Sequence, residues 1–202
     1  MDDVTAILLA GGMSRRMGAP NKLVMPVAGK PMVRLVAETY LSVLTTPLTV
    51  VTGHHADAVV AALSGLSVIF AHNENFAEGQ PSSVATGLKA APDAALLLIA
   101  LADQPYLTPE DLKQLVHWHH AHDPKKITVP KMGENRGNPV LIPRALRPRL
   151  TEHPHRPGCM RVTRDNPDLV QFAPLAAQGF YADVDTPEEY AALTPKEMET
   201  AG

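Results

Sequence analysis

An α/β fold, with a mostly parallel central sheet and helices on both faces, is predicted by three features of the sequence. Short apolar runs alternate with segments of helical spacing along most of the 202 residues, the pattern of successive βαβ units. The first run, Val4 to Ala10, carries no charge and has no polar face, as in a strand covered on both sides. That run stops abruptly at Gly11-Gly12, where an open α/β sheet turns a loop toward its ligand crevice.

The remaining elements follow in order. After a basic, glycine-containing loop to about Lys30, Pro31 opens a helix whose residues Met32, Leu35, Val36, Thr39, Tyr40 and Val43 fall on one face. Leu48 to Thr52 reads as a strand, Ala56 to Leu63 as a helix, Leu66 to Ala71 as a strand and Ser82 to Ala91 as a helix. Ala94 to Leu101 is the strongest strand. Thr108-Pro109-Glu110-Asp111 is a helix start, with Thr108 as N-cap, proline in the first turn and acids beside the positive end of the dipole. It leads into Leu112, Leu115, Val116 and Trp118. Strands are expected around Ile127 to Pro130, Val140 to Ile142 and Tyr181 to Val184, with a short helix from Met160 to Arg164. No linker composition interrupts the chain, so one domain is expected over residues 1–195, with a frayed tail at 196–202.

Composition narrows the function classes. Hydrophobic residues make up 45% and aromatics 4%, so aliphatic side chains and alanine carry a globular core and disorder is excluded. A net charge of −3 provides no global field for nucleic acid or an anionic membrane, so any anion must be captured locally. The longest apolar stretch, Ala94 to Ala102, is far short of the roughly 18 residues a membrane helix needs. The start Met1-Asp2-Asp3 lacks a basic signal region, and Cys159 stands alone, which suits a cytoplasmic address.

The chemistry concentrates at the expected carboxyl ends of strands. Leu9-Ala10-Gly11-Gly12-Met13-Ser14-Arg15-Arg16-Met17-Gly18, followed by Lys22, combines backbone N–H groups freed by glycine with fixed positive charge. This is a polyphosphate cradle, with neither Walker A nor G-x-G-x-x-G spacing. Asp103, in Ala102-Asp103-Gln104-Pro105, sets a carboxylate beside that cradle. Such an acid repels a triphosphate unless it holds Mg²⁺, which needs only one or two protein carboxylates; a turn-forming role is the plain alternative. Asp183-Val184-Asp185-Thr186-Pro187-Glu188 offers a second carboxylate, with Asp185 the favoured ligand and helix capping the alternative. Gly79-Gln80-Pro81-Ser82-Ser83 opens a helix with small polar residues suited to a base or phosphate, and Arg136-Gly137-Asn138-Pro139 is either a plain turn or a contact for a second substrate.

Together, the glycine loop with Lys22, the Gly79 to Ser83 loop, Asp103-Gln104-Pro105 and Asp183-x-Asp185-Thr186-Pro187-Glu188 resemble the nucleotidyltransferases that finish the molybdenum cofactor. The resemblance spans nearly the whole chain. It implies a Rossmann-like nucleotidyltransferase fold that joins a nucleoside triphosphate to the terminal phosphate of molybdopterin and releases pyrophosphate. It further implies a molybdenum hydroxylase, or its maturation factor, as recipient. On this resemblance Arg16, Lys22 and Asp103 are catalytic and Asp103 and Asp185 hold Mg²⁺. Leu9, Ala10, Gly11, Gly12, Ser14, Arg15, Arg16, Lys22, Gly79, Ser82 and Ser83 bind nucleotide, and Arg136 and Asn138 bind the acceptor. The Asp-Gln-Pro and Gly-x-x-Ser-Ser segments look like the cytidylyltransferase branch, which favours CTP. Gly11 looks like the guanylyltransferase branch, which favours GTP. Transfer to another phosphorylated metabolite, such as a sugar phosphate, and a non-catalytic cofactor carrier are the other readings.

Other conspicuous residues have plainer roles. His117, His119, His120 and His122 lack a ligand set and read as a solvated helix end, and His153 and His155 are similar. Cys159 reads as an inert thiol and Trp118 as a packing residue.

Overall fold

The computed structural model describes residues 1, 3–12, 21–152 and 159–193. In chain order the strands are β1 (Val4–Ala10), β2 (Pro26–Val27), β3 (Lys30–Pro31), β4 (Leu48–Thr52), β5 (Val68–His72), β6 (Leu96–Leu101), β7 (Ile127–Met132), β8 (Asn135–Arg136), β9 (Val140–Pro143) and β10 (Val170–Ala173). The helices are α1 (Met32–Leu41), α2 (Ala56–Ala62), α3 (Gln80–Ala90), α4 (Pro109–Ala121), α5 (Cys159–Asp165) and α6 (Pro187–Leu193).

β1 has no face to give to water, and it lies inside the sheet, paired in parallel with β4 on one side and β6 on the other. The full order is β10-β7-β9-β6-β1-β4-β5, with β8 folded back onto β7. β9 runs antiparallel to both β6 and β7, and β8 runs antiparallel to β7, so the mostly parallel sheet contains two reversed strands. β2 and β3 form a separate small ribbon.

The alternation of side chains along β1 divides the core. Ala6 and Leu8 pack with Val33, Val36 and Tyr40 of α1 and with Leu112 and Leu115 of α4. Ile7 faces the other way, with Val84 of α3 and Val162 of α5. Helices therefore cover both faces. The start of α4 is chemically specified: Thr108 Oγ1 accepts from the Asp111 amide at 3.2 Å while Asp111 Oδ2 accepts from the Thr108 amide at 2.9 Å, a complete capping box.

The C-terminal segment departs from expectation. Residues 182–185 form no strand, although Tyr181 to Val184 has strand-like composition. Val184 donates its amide to the Asp103 carbonyl at 2.9 Å and buries its side chain with Val27, Met32 and Leu193, so a loop contact replaces strand pairing. Asp183 and Asp185 consequently do not share a strand face. The strand beyond β7 is instead β10, which pairs with it in parallel.

Candidate active site

The loops after β1 and β6 and the segment before α6 meet at one crevice. Asn21 caps a single 3₁₀ turn over Lys22–Val24 by accepting from the Leu23 amide at 3.1 Å, which fixes where Lys22 starts. Lys22 is 7% exposed. Its Nζ lies 2.7 Å from Asp103 Oδ2 and 2.7 Å from Asp185 Oδ1. Burial opposes the charge on Lys22, but the Asp103 and Asp185 carboxylates outweigh it, and its pKa stands above the ordinary lysine value.

This triad carries one ammonium against two carboxylates. The surplus negative charge, half-buried on Asp103 and Asp185, calls for a further cation. Asp103 Oδ1 is buried and has no hydrogen-bond partner among the described residues. An unused carboxylate oxygen beside a second carboxylate fits Mg²⁺, which takes oxygen ligands and completes its shell with water and phosphate. Among the described residues no cluster of three or more His, Cys, Asp or Glu could hold a metal, so the fit is to a metal that shares its shell with substrate.

A cavity of about 530 Å³ opens above this floor, lined by Leu9, Gly11, Gly12, Lys22, Gly79 and Ser83 and flanked by Phe76. Ala10 is buried and does not line the cavity. Gly11 and Gly12 line the cavity, whereas Ser14, Arg15 and Arg16 lie outside the described residues. Next to it is a larger cleft of about 1460 Å³, and Gln80 and Leu101 border both. Its apolar floor includes Ile99 and Val129, and Lys89, Arg136 and Arg164 bring positive charge to its walls. Asn138 lines this cleft, and the Arg136 guanidinium sits 5.0 Å from the centre of the Phe172 ring.

The loop before α3 is held by a residue that sequence reasoning missed. Asn73 is 3% exposed and donates to Ser82 Oγ at 2.8 Å and to Ser83 Oγ at 3.0 Å, while its Oδ1 accepts from the Asn75 amide. Ser82 Oγ in turn bonds the carbonyls of Asn75 and Gly79. Both serine hydroxyls are thus engaged in shaping the loop. What this segment presents to the cavity is chiefly Gly79 and Gln80. An asparagine directly after a strand, ten residues before a serine pair's end, is a weak sequence signal.

One of two other residues, His119, differs from expectation, and Cys159 agrees with it. His119 is fully buried, with Nδ1 2.7 Å from Thr128 Oγ1, rather than solvated. Cys159 is half-buried at the cleft wall, and burial pushes its thiol up to about 12, which leaves it a poor nucleophile at neutral pH.

A Mg²⁺-compatible carboxylate pair beneath a glycine-lined cavity, at the carboxyl ends of a mostly parallel sheet, defines a class of nucleotide-handling α/β proteins. Residues 6–170 match the family model of the MobA-like NTP transferase domain, and the chain belongs to this nucleotidyltransferase family. A probable molybdenum cofactor guanylyltransferase of Natronomonas pharaonis is 37% identical over 123 residues, which cover 61% of this chain and 60% of that protein. A nicotine blue oxidoreductase of Paenarthrobacter nicotinovorans is 30% identical over 194 residues, 92% of this chain and 94% of that one. Among solved structures, a nucleotidyl transferase from Methanothermobacter superposes with a TM-score of 0.78 at 20% identity, covering 96% of each chain, and shares the fold. No helix among the described residues is long and apolar enough to cross a membrane.

Proposed function

We propose that the protein transfers a nucleotide, CMP from CTP, onto the terminal phosphate of molybdopterin and releases pyrophosphate. The observation that carries this reading is the convergence of Asp103, Asp185 and Lys22 at the floor of one cavity, with a second cleft adjoining it. The acceptor is a phosphate monoester with a second pKa of about 6, so it is largely ionised at neutral pH and needs no general base. Positioning and charge neutralisation are what the protein must supply.

Asp103 and Asp185 would hold Mg²⁺, which would supply positive charge against the negative phosphate oxygens. Lys22 and the Gly11 and Gly12 amides steady the triphosphate, and Lys22, together with Arg16, offsets charge on the departing pyrophosphate. Arg136 and Asn138 hold the acceptor in the larger cleft. The chain acts as one domain in the cytoplasm and hands its product to a molybdenum hydroxylase or its maturation factor.

GTP is the second reading, favoured by Gly11 and by the name of the Natronomonas relative. The purified protein with Mg²⁺ and molybdopterin is incubated separately with CTP, GTP, ATP and UTP, and pyrophosphate and dinucleotide product are measured. CTP-dependent product supports the proposal, and GTP-dependent product replaces cytidylyl with guanylyl transfer. Release only with a sugar phosphate moves the reading to another acceptor. No release with any pair overturns nucleotidyl transfer and favours a carrier; oxidation or reduction of nicotine blue would favour an activity like that in the Paenarthrobacter relative's name.

A further inference from the structure

Gln104 follows Asp103 directly and is 3% exposed. Its Nε2 donates to the Phe180 carbonyl at 3.3 Å, while its Oε1 is buried and accepts no hydrogen bond among the described residues. Turning the amide over would set Oε1 against the same carbonyl oxygen, so the orientation is determined. A buried acceptor without a bond is costly, and a methionine would fill a similar volume without that cost. Stability alone is a poor reason for glutamine here.

The Phe180 carbonyl is a junction. It also accepts from the Asn138 amide at 2.8 Å. Gly137 packs so closely that a Cβ there would lie 2.6 Å from this oxygen. Four residues after Phe180, the Val184 amide donates to the Asp103 carbonyl at 2.9 Å. Positions 103 and 104 therefore grip the segment leading to Asp185 at two points. The turn bearing Asn138 grips it from the other side, and no strand pairing does this work at 182–185.

We infer that Gln104 is a positioning residue: through the Phe180 carbonyl it sets Asp185 relative to Asp103 and couples both to the Arg136–Asn138 turn of the larger cleft. The catalytic consequence rests on the nucleotidyl-transfer reading; the structural one does not. Freed from Gln104, the segment lets Asp185 drift from Lys22 and lets the turn shift, while Gly11, Gly12 and Gly79 keep their places.

The test uses Gln104→Met and Gly137→Ala in the full chain. In Gln104→Met, amide hydrogen exchange at Asn138 and Val184 accelerates about tenfold or more while the central strands keep their protection. Turnover falls about tenfold to hundredfold and acceptor KM rises, with nucleotide KM changed less than about threefold. Gly137→Ala displaces the same carbonyl from the opposite side, and the double variant loses less than the product of the single losses. Unchanged exchange at Asn138 and Val184 overturns the inference, as does faster exchange with unaltered kcat and acceptor KM. Uniform loss of protection across the sheet overturns it in favour of a general folding role. If the wild-type protein releases no pyrophosphate with any nucleotide, the functional reading fails, and the exchange data still decide the role of Gln104.

Discussion

Gly11 and Gly53 meet backbone to backbone where β1 and β4 end. A Cβ on Gly53 would fall 2.8 Å from the Gly11 carbonyl oxygen and 2.6 Å from Phe76 Cβ, whereas one on Gly11 would fall 3.2 Å from the Gly53 nitrogen. The two positions therefore tolerate a methyl group unequally. Gly11→Ala needs its neighbours to yield by a few tenths of an ångström, at a cost of about 1 kcal/mol or a Tm lower by about 2–4 °C. Gly53→Ala costs about 1–3 kcal/mol and pushes on Phe76 at the cavity wall. Thermal melts rank the variants, and competition between CTP and GTP shows a shift of kcat/KM toward CTP in Gly11→Ala.

Removing the ammonium from between the carboxylates exposes their mutual repulsion. Lys22→Met is expected to lose about 3 kcal/mol, the cost of a buried charge left without its partner. Mg²⁺ then raises the Tm of Lys22→Met in a concentration-dependent way, and adding Asp103→Asn abolishes that response. Asp103→Asn alone lowers kcat by about a hundredfold or more, measured as pyrophosphate release at saturating nucleotide.

His119 makes the fold acid-sensitive within a defined window. Burial lowers its pKa from 6.5 to about 4, the nearby His120 charge adds to the effect, and Asp123 opposes it. Between these values the unfolded chain binds a proton that the folded chain refuses, so stability falls as pH falls from 6.5 toward 4. The loss totals about 3 kcal/mol, and this group contributes no slope above pH 6.5. Urea titrations across pH 4–7.5 measure the slope, which flattens in His119→Gln.

Tyr40 is 1% exposed, and its hydroxyl has no hydrogen-bond partner among the described residues. Tyr40→Phe removes an unsatisfied buried group while keeping the ring packed against the core of α1. It is expected to raise stability by about 1 kcal/mol, read from the midpoint of chemical denaturation.

Much of this architecture is legible from short-range chemistry. β1 and β6 have no polar face, so their central places follow from hydrophobic patterning, and the glycines after β1 and the acid after β6 mark the ligand end. The Tyr181 to Val184 segment misleads because its composition suits a strand. Whether it pairs depends on distant partners, and Val184 finds the Asp103 carbonyl. β10 escapes notice because it spans only Val170–Ala173, with polar Gln171 in its middle. The burial of His119 was encoded after all: it continues the Leu112, Leu115, Val116 stripe at helical spacing, and Thr128 supplies the hydrogen bond that makes a histidine acceptable there. The engagement of Ser82 and Ser83 by Asn73 depends on a loop folding back on itself, which no spacing rule foretells.

The position of Asp185 after every strand divides framework from chemistry along the chain. All eight strands of the large sheet lie between Val4 and Ala173, so none of its strand pairs uses the segment that carries Asp185. Loss of that segment would spare every strand of the sheet and take from Lys22 one of its two carboxylate partners.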